Sequence, residues 1–296
     1  MTAQSGQDKI HVFPLELLEQ RSDLKQEVLD AIDRFNAPIG WHYLLDLVWL
    51  LECVEDLPQG SIILDAGAGN GLMQMLLVAR GHRVISVDFS PRRPLKSYES
   101  GANIRVLEGR SFSNDYITHM SKSWGLDEKE GNVGTEGETP SPLEVLEDES
   151  VNLVYWRADL TDLNPLPDGC VDAMVSVSAL EHNSPEGMEA CLAEMNRVLK
   201  PGGGMHITIS GSDRGDWFHE PSNGWCYSES SIIKHFDLKN TQSNYVDAEA
   251  IFAEVKQGDG LKEYLAPFYF TSGNNGMPWG KWNPEYFPLG VSKWKK

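Results

Sequence analysis

The chain has 296 residues, of which 41% are hydrophobic and 23% charged, a composition typical of a soluble globular protein. It carries 44 acidic against 25 basic side chains, which gives a formal net charge of −19. Phosphate backbones and anionic lipids attract basic surfaces, so this charge argues against a nucleic-acid partner and a membrane partner. The four cysteines form no CxxC pair, which excludes a zinc framework or disulfide scaffold and favours reduced thiols. With no signal-peptide pattern, we expect a cytoplasmic protein.

The N-terminal part of the chain is predicted to be mixed helix and turn. Leucine, valine and isoleucine recur at roughly helical spacing from Leu15 to Ile32, and Pro38 and Gly40 then interrupt the pattern. A second helix is predicted over residues 41–57, where a Pro–Gln–Gly turn ends it. We therefore expect an N-terminal helical extension, residues 1–39, followed by one domain, residues 40–296.

Strands and helices then alternate along the chain. Short apolar runs predict strands over residues 61–64, 83–87, 151–157, 171–177 and 205–210. Helical spacing predicts helices over residues 72–80 and 184–199, and the second begins with Ser184 and Pro185, two residues that favour a helix start. This alternation is typical of an α/β fold with a mostly parallel sheet that is covered by helices on both faces.

Two stretches interrupt the alternation. The first is an insertion of about residues 97–150, in which residues 127–149 hold nine acidic side chains and one lysine. Such a composition is typical of a mobile, solvated segment, so we expect it to be dispensable for stability. The second is the C-terminal part, residues 211–296, which holds five of the nine tryptophans and is expected to form a substrate or lid region.

A glycine-rich turn lies between the first strand of the alternation and the helix that follows it. Asp65 is followed by Gly67, Gly69 and Gly71, and Asp88 stands at the end of the next strand. Glycines let a backbone approach a ligand closely, and the N–H groups of a helix start attract polar or anionic ligand atoms. A carboxylate at the end of the second strand can accept hydrogen bonds from both hydroxyls of a ribose.

Two other nucleotide motifs do not fit this turn. A dinucleotide site has the pattern G-x-G-x-x-G, whereas Leu72 stands where its third glycine would be. A P-loop requires a lysine after its last glycine, and none follows. The remaining pattern is D-x-G-x-G-x-G with an acidic residue after the second strand.

Four segments resemble the class I S-adenosylmethionine-dependent methyltransferases of small-molecule type: ILDAGAGNG, VISVDFS, ADLTDLNPLPDGCVDAMVSVSALEH and RVLKPGGGMHITI. The resemblance runs from about residue 60 to residue 210, apart from the insertion. It implies a Rossmann-like, seven-stranded, mostly parallel sheet, with residues 261–270 and 286–293 as the last two strands, one of them antiparallel. It also implies S-adenosyl-L-methionine as the cofactor.

The resemblance assigns cofactor contacts to individual residues. The methionine end would be held by Asp65, Gly67, Gly69, Asn70, Gly71 and the backbone of Ser178. Asp88 would hold the ribose, and the adenine would be contacted by Phe89, Asp159 and Leu160. Asn70 departs mildly from the family, in which many relatives carry threonine or serine.

The activated methyl group needs alignment with its acceptor, and a hydroxyl acceptor also needs a base. The candidates are His182 and Glu181, which follow the fourth strand, and His219, which follows the fifth. The two histidines also have a purely structural interpretation: His182 as a tie between the loop and the helix cap at Ser184, and His219 as a surface residue. Some relatives bind a divalent metal through Glu-x-x-Glu-His after the fourth strand. Ser178 replaces the first Glu here, so no metal is predicted.

The acceptor is predicted to be an oxygen or nitrogen atom of a small metabolite or sugar. The fourth strand is followed neither by the Asn/Asp-Pro-Pro-Tyr/Phe motif of enzymes that methylate nucleic-acid bases nor by the cysteine of RNA cytosine-C5 enzymes. Two alternatives remain open: a protein that binds S-adenosylmethionine without catalysis, and a nucleic-acid methyltransferase. The sequence carries no signal of oligomeric state.

Overall fold

The structure is a computed structural model. It describes residues 6–37, 39–69, 71–90, 104–108, 140–257, 265, 282 and 284–296. All contacts given below are among these residues. Asn70, most of the predicted insertion and most of the predicted strand at residues 261–270 lie outside them.

Eleven strands lie within the described ranges, and nine of them form one sheet. Their bounds are β1 Lys9–Val12, β2 Ile62–Ala66, β3 Arg83–Asp88, β4 Ile104–Glu108, β5 Leu153–Arg157, β6 Val171–Val177, β7 Leu199–Gly211, β8 Trp217–His219, β9 Gly224–Cys226, β10 Gln242–Ser243 and β11 Phe287–Trp294. The order in the large sheet is β10–β1–β11–β7–β6–β2–β3–β5–β4, and β8 and β9 form a separate antiparallel pair.

The centre of the sheet is parallel, as the sequence predicts. Strands β7, β6, β2, β3 and β5 correspond to the five predicted strands, and neighbouring members pair in parallel. Strand β11, predicted over residues 286–293, pairs antiparallel with β7. Both faces of these strands are apolar and buried; all five residues of β5 are buried, for example. This burial explains why the strands read as continuous apolar runs rather than as alternating patterns.

The edges of the sheet differ from the predicted seven-stranded arrangement. Strand β1, from the segment predicted as helix and turn, pairs antiparallel with β11 and parallel with β10. Strand β4 extends the opposite edge by pairing in parallel with β5. The N-terminal segment therefore contributes a strand to the large sheet, and the division of the chain at residue 39 remains a proposal.

Eight helices flank the sheet in the described ranges. Their bounds are α1 Glu16–Gln20, α2 Ser22–Phe35, α3 Tyr43–Cys53, α4 Met73–Ala79, α5 Pro142–Leu146, α6 Pro185–Val198, α7 Glu229–His235 and α8 Ala248–Gln257. Helix α6 begins as predicted: the Ser184 hydroxyl accepts a hydrogen bond from Gly187 N at 3.1 Å, and Pro185 is the first helical residue. In α3, eight consecutive residues from Leu44 to Leu51 are buried.

The end of the acidic stretch is an ordered helix rather than irregular chain. Ser141 and Glu144 form a capping box at the start of α5. The Ser141 hydroxyl accepts a hydrogen bond from Leu143 N at 3.3 Å, and Glu144 Oε2 accepts one from Ser141 N at 2.8 Å. Leu146 is 1% exposed and belongs to the hydrophobic core, and α5 packs against β5. Residues 142–146 are therefore part of the folded domain.

We expect Leu146→Ala to lower the free energy of unfolding by about 2–5 kcal/mol, because it removes buried methyl groups and leaves a cavity. Urea unfolding followed by fluorescence measures this change, with Glu147→Ala, an exposed site on the same turn, as the matched control. Equal stability of the two variants would show that α5 is not anchored to β5.

Among the described helices, none has both the length and the apolar character that a membrane crossing requires. The same ranges contain no group of three or more histidine, cysteine, aspartate or glutamate side chains arranged to hold a metal ion.

Candidate functional site

A cavity of about 670 Å³ opens at the carboxyl ends of β2, β3, β5 and β6. This is the edge at which open α/β sheets bind ligands. The lining residues that the sequence singles out are Asp65, Gly67, Gly69, Gly71, Asp88, Phe89, Asp159, Leu160, Ser178, Glu181 and His182. We group its lining residues by the elements that carry them: the glycine half at the ends of β2, β3 and β5, and the histidine half at the start of α3 and in the segment after β6.

The glycine turn has the backbone geometry that its sequence predicts. Gly67 and Gly69 have positive φ angles of 65° and 47°, which other residues rarely adopt. A β-carbon on Gly67 would lie 2.5 Å from Ala179 Cβ, whereas one on Gly69 would meet nothing within 4 Å. The backbone of Gly69 therefore presents an open surface to the cavity, large enough for a ligand to approach the main chain.

Asp88 ties the turn to the second strand. Its Oδ2 accepts a hydrogen bond from Gly69 N at 2.7 Å, and its Oδ1 accepts from Ser90 N at 2.8 Å. Oδ1 also accepts from the Ser90 hydroxyl at 2.5 Å, so its two lone pairs are used, whereas Oδ2 can accept one more hydrogen bond from a ligand hydroxyl. Asp88 is 7% exposed and lines the cavity, as does Asp65, which is 1% exposed.

The adenine-side residues are held by local contacts. Arg157 Nε donates to the carbonyl of Phe89 at 2.9 Å, which anchors the segment after β3. Asp159 Oδ1 accepts from Thr161 N at 2.9 Å and from its hydroxyl at 2.8 Å, which shapes the turn after β5. Leu160 also lines the cavity, next to Asp159 in the sequence.

Ser178 joins the two halves of the cavity. It has a positive φ of 43°, uncommon for a residue with a side chain, and its N–H donates to Thr208 O at 3.1 Å. Its hydroxyl donates to Asp46 Oδ2 on α3 at 3.2 Å. Strained backbone of this kind clusters at functional sites because the surrounding structure must hold it in place.

Glu181 is a buried carboxyl in the histidine half, 2% exposed. Burial, with a smaller contribution from the nearby charge of Asp46, raises the pKa of Glu181 to about 8. The Ser210 hydroxyl donates to Oε1 at 3.4 Å, while Oε2 has no hydrogen-bond partner among the described residues. At neutral pH this carboxyl therefore holds a proton and can donate a hydrogen bond.

His182 lines the cavity but serves as a tie between loops. Its Nδ1 lies 2.9 Å from the carbonyl oxygen of Asn223 and therefore donates to it. Burial lowers the pKa of His182. This contact connects the segment after β6 to the turn between β8 and β9, rather than to the helix cap at Ser184 that the structural interpretation from the sequence named.

The structure does not bring His219 to the cavity. His219 is 2% exposed, not a surface residue, and its Nδ1 lies 2.6 Å from Ser222 Oγ. Its ring contacts the Tyr286 ring edge to face, with centroids 5.2 Å apart, and Tyr286 lies between it and the cavity. His219 caps a short turn, in which its Nδ1 accepts from Ser222 N, and its catalytic role stays a prediction that this position does not support.

The lining residues that were not predicted include His42, Tyr43 and Tyr286. His42 and Tyr43 stand at the start of α3, before the first strand of the motif, and Tyr286 precedes β11. His42 Nδ1 lies 2.7 Å from Asp46 Oδ2. One signal was present in the sequence: a histidine and an aspartate spaced i, i+4 in an otherwise apolar helix, which puts both on one helix face.

One protein family matches part of the chain. A family described as a methyltransferase domain matches residues 132–207, which include β5, β6 and α6. No curated protein matches the chain significantly.

Several solved structures overlap with the chain at low identity. The PH0226 protein of Pyrococcus horikoshii is 17% identical over 64% of this chain and 57% of its own, with a TM-score of 0.34. The Burkholderia thailandensis 1,6-didemethyltoxoflavin-N1-methyltransferase is 15% identical over 78% of this chain and 87% of its own, with a TM-score of 0.40. The [4+2]-cyclase SpnF is 16% identical over 98% of this chain and 99% of its own, with a TM-score of 0.43. This chain thus spans less than two thirds of the Pyrococcus protein.

Two findings agree with the class I methyltransferase fold that the sequence predicts. The central sheet is parallel with an antiparallel last strand, and residues 132–207 match a family described as a methyltransferase domain.

Proposed function

We propose that this enzyme transfers the methyl group of S-adenosylmethionine to an oxygen or nitrogen atom of a small metabolite or sugar. The observation that carries the proposal is the lining of the cavity. The glycine half has the open glycine backbone and acidic residues suited to the cofactor, and the histidine half adds His42, Tyr43 and Glu181 to the lining of the same cavity.

The glycine half fits the cofactor. The open surface over Gly69 suits the methionine end, which Asp65 and the rest of the turn would also contact. The remaining lone pair of Asp88 Oδ2 suits a ribose hydroxyl. Phe89, Asp159 and Leu160 would contact the adenine. S-adenosylmethionine supplies a methyl group already activated on a sulfonium sulfur, so the protein's main task is to align acceptor and donor.

The histidine half fits a small acceptor. A total of about 670 Å³ lies within the usual range of ligand cavities, about 300–1,000 Å³, and leaves limited space beside a cofactor. Among the described residues that line the cavity there is no lysine or arginine, the residues that bind nucleic-acid phosphates. The net charge of −19 also opposes a polynucleotide acceptor.

The test is a search for the methylated product. Purified protein and S-adenosylmethionine with a deuterated methyl group are added to a small-molecule extract, and mass spectrometry detects compounds that gain the labelled methyl. We expect at least one such product, whose fragmentation identifies oxygen or nitrogen as the acceptor atom. The Asp88→Ala variant, tested in parallel at the same cofactor concentration, should form much less of it.

Two outcomes would contradict the proposal. Labelled product found only in added RNA or DNA would favour a nucleic-acid methyltransferase. Tight binding of S-adenosylhomocysteine without any labelled product would favour a binding protein that does not catalyse transfer.

A further inference from the structure

A histidine–aspartate pair lies in the wall of the histidine half, on α3. His42 is 4% exposed and lines the cavity, and Asp46, one helical turn later, is fully buried. A charged residue is costly inside an apolar helix unless hydrogen bonds compensate it. The pair therefore requires a structural or chemical reason for its position.

The pair fixes which ring nitrogen of His42 is basic. Asp46 Oδ2 lies 2.7 Å from Nδ1, and a carboxylate can only accept, so Nδ1 carries the proton. The lone pair of His42 is consequently on Nε2. An aspartate in this position holds an imidazole in one tautomer and stabilises the imidazolium that forms when Nε2 takes up a proton.

The same carboxylate reaches the cofactor half. Asp46 Oδ2 also accepts the hydrogen bond from the Ser178 hydroxyl at 3.2 Å, and Ser178 directly follows β6. The other oxygen, Oδ1, is buried without a hydrogen-bond partner in the described ranges. One oxygen atom thus holds both His42 and the strand end against which the methionine part of the cofactor is proposed to lie.

Aromatic side chains hold the His42 ring. The rings of Trp41 and Tyr286 contact it edge to face, with centroids 5.0 Å and 5.9 Å away. The ring orientation is therefore determined by packing as well as by Asp46, which is the preorganisation that proton transfer requires.

The two other candidates near this position are less suited to act as a base. His182 uses Nδ1 to hold the Asn223 carbonyl, and its burial disfavours the protonated state that a base must reach. Glu181 already holds its proton at neutral pH, because burial raises its pKa to about 8. His42 differs from both in geometry: its Nδ1 faces the side chain of Asp46 rather than a backbone carbonyl, and its Nε2 carries the lone pair.

We propose that His42 is the general base of the methyl transfer, that Asp46 is its positioning residue, and that the acceptor is accordingly a hydroxyl compound. This inference rests on the proposed function and narrows it. In the step, the acceptor O–H bond breaks and its proton goes to His42 Nε2. The oxygen electron pair forms the new bond to the methyl carbon, and the carbon–sulfur bond breaks with its electron pair remaining on sulfur. His42 then releases the proton to solvent.

The first test is His42→Gln, assayed with the acceptor identified by the labelled-methyl search. We expect kcat to fall by about 10²–10⁴-fold, the usual contribution of a general base, while the affinity for S-adenosylhomocysteine, measured by calorimetry, stays unchanged. His235→Gln is the matched control, because His235 Nδ1 also lies 2.7 Å from a carboxylate, Glu189, but outside the cavity. That variant should keep its full rate.

The second test is a double-mutant cycle with Asp46→Asn. An amide oxygen can still accept from the Ser178 hydroxyl, so at saturating cofactor Asp46→Asn should lower kcat in the wild-type background and have no further effect on kcat in His42→Gln. Losses that multiply would assign Asp46 a separate, merely structural role and overturn its part of the proposal. Should His42→Gln unfold, His42→Ala with added imidazole replaces it, and recovery of the rate with imidazole supports the base.

The outcomes separate this inference from the function on which it rests. A wild-type enzyme that forms no methylated product contradicts the proposed function. A wild-type enzyme that is active together with a fully active His42→Gln variant, or with an amine as the acceptor, overturns only the assignment of His42.

Discussion

Replacing Asp88 by alanine is expected to weaken the binding of S-adenosylhomocysteine by about 10- to 150-fold, which corresponds to about 1.5–3 kcal/mol for hydrogen bonds to a charged group. Two contributions add in this variant. The ligand loses an anionic acceptor for its ribose hydroxyls, and Gly69 loses the 2.7 Å hydrogen bond that holds the turn. Isothermal titration calorimetry measures the dissociation constants directly.

The control for this variant is Asp237→Ala. Asp237 follows α7, its side chain is 69% exposed, and it does not line the cavity. Its replacement should leave the affinity unchanged. An Asp88→Ala variant that binds the ligand as tightly as the wild type would refute the ribose role of Asp88.

The second large effect concerns stability and the buried carboxyl of Glu181. Its pKa is raised from 4.5 to about 8 in the folded protein by burial. Between these values the folded state holds a proton that the unfolded state has released, so stability must fall as pH rises. The wild type should lose about 1.4 kcal/mol of unfolding free energy per pH unit across this window, relative to a Glu181→Gln variant that cannot titrate.

Urea unfolding of both proteins between pH 5 and pH 8 tests this expectation. Glu186→Gln, an exposed site at the start of α6, is the control and should follow the wild type. Curves for wild type and Glu181→Gln that stay parallel over the whole range would mean that Glu181 titrates normally and is ionised in the cavity.

Local patterns account for the parts of the fold that the sequence predicts well. The central strands are short apolar runs, and α6 begins with a serine cap and a proline, so each element is encoded within its own residues. The glycine turn is similarly local, because positive φ at Gly67 and Gly69 demands glycine. These elements position the glycine half of the cavity.

Contacts between distant parts of the chain account for the features that the sequence does not reveal. Strand β1 has only four residues and exists because it pairs with β11, almost the whole chain away. Asp46 and Ser178 are 132 positions apart, and nothing in either segment indicates that they share a hydrogen bond. His219 is a residue whose position in the sequence suggests a role that its contacts do not support. It follows β7, where substrate loops are expected, but its ring caps a short turn and packs against Tyr286.

A crystal structure of the protein with S-adenosylhomocysteine tests the two-part cavity most directly. We expect the ribose hydroxyls within hydrogen-bond distance of Asp88, the methionine end along the turn from Gly67 to Gly71, and the sulfur facing the space lined by His42 and Glu181. A ligand bound elsewhere, or a sulfur atom facing away from that space, would contradict both the proposed function and the role of His42.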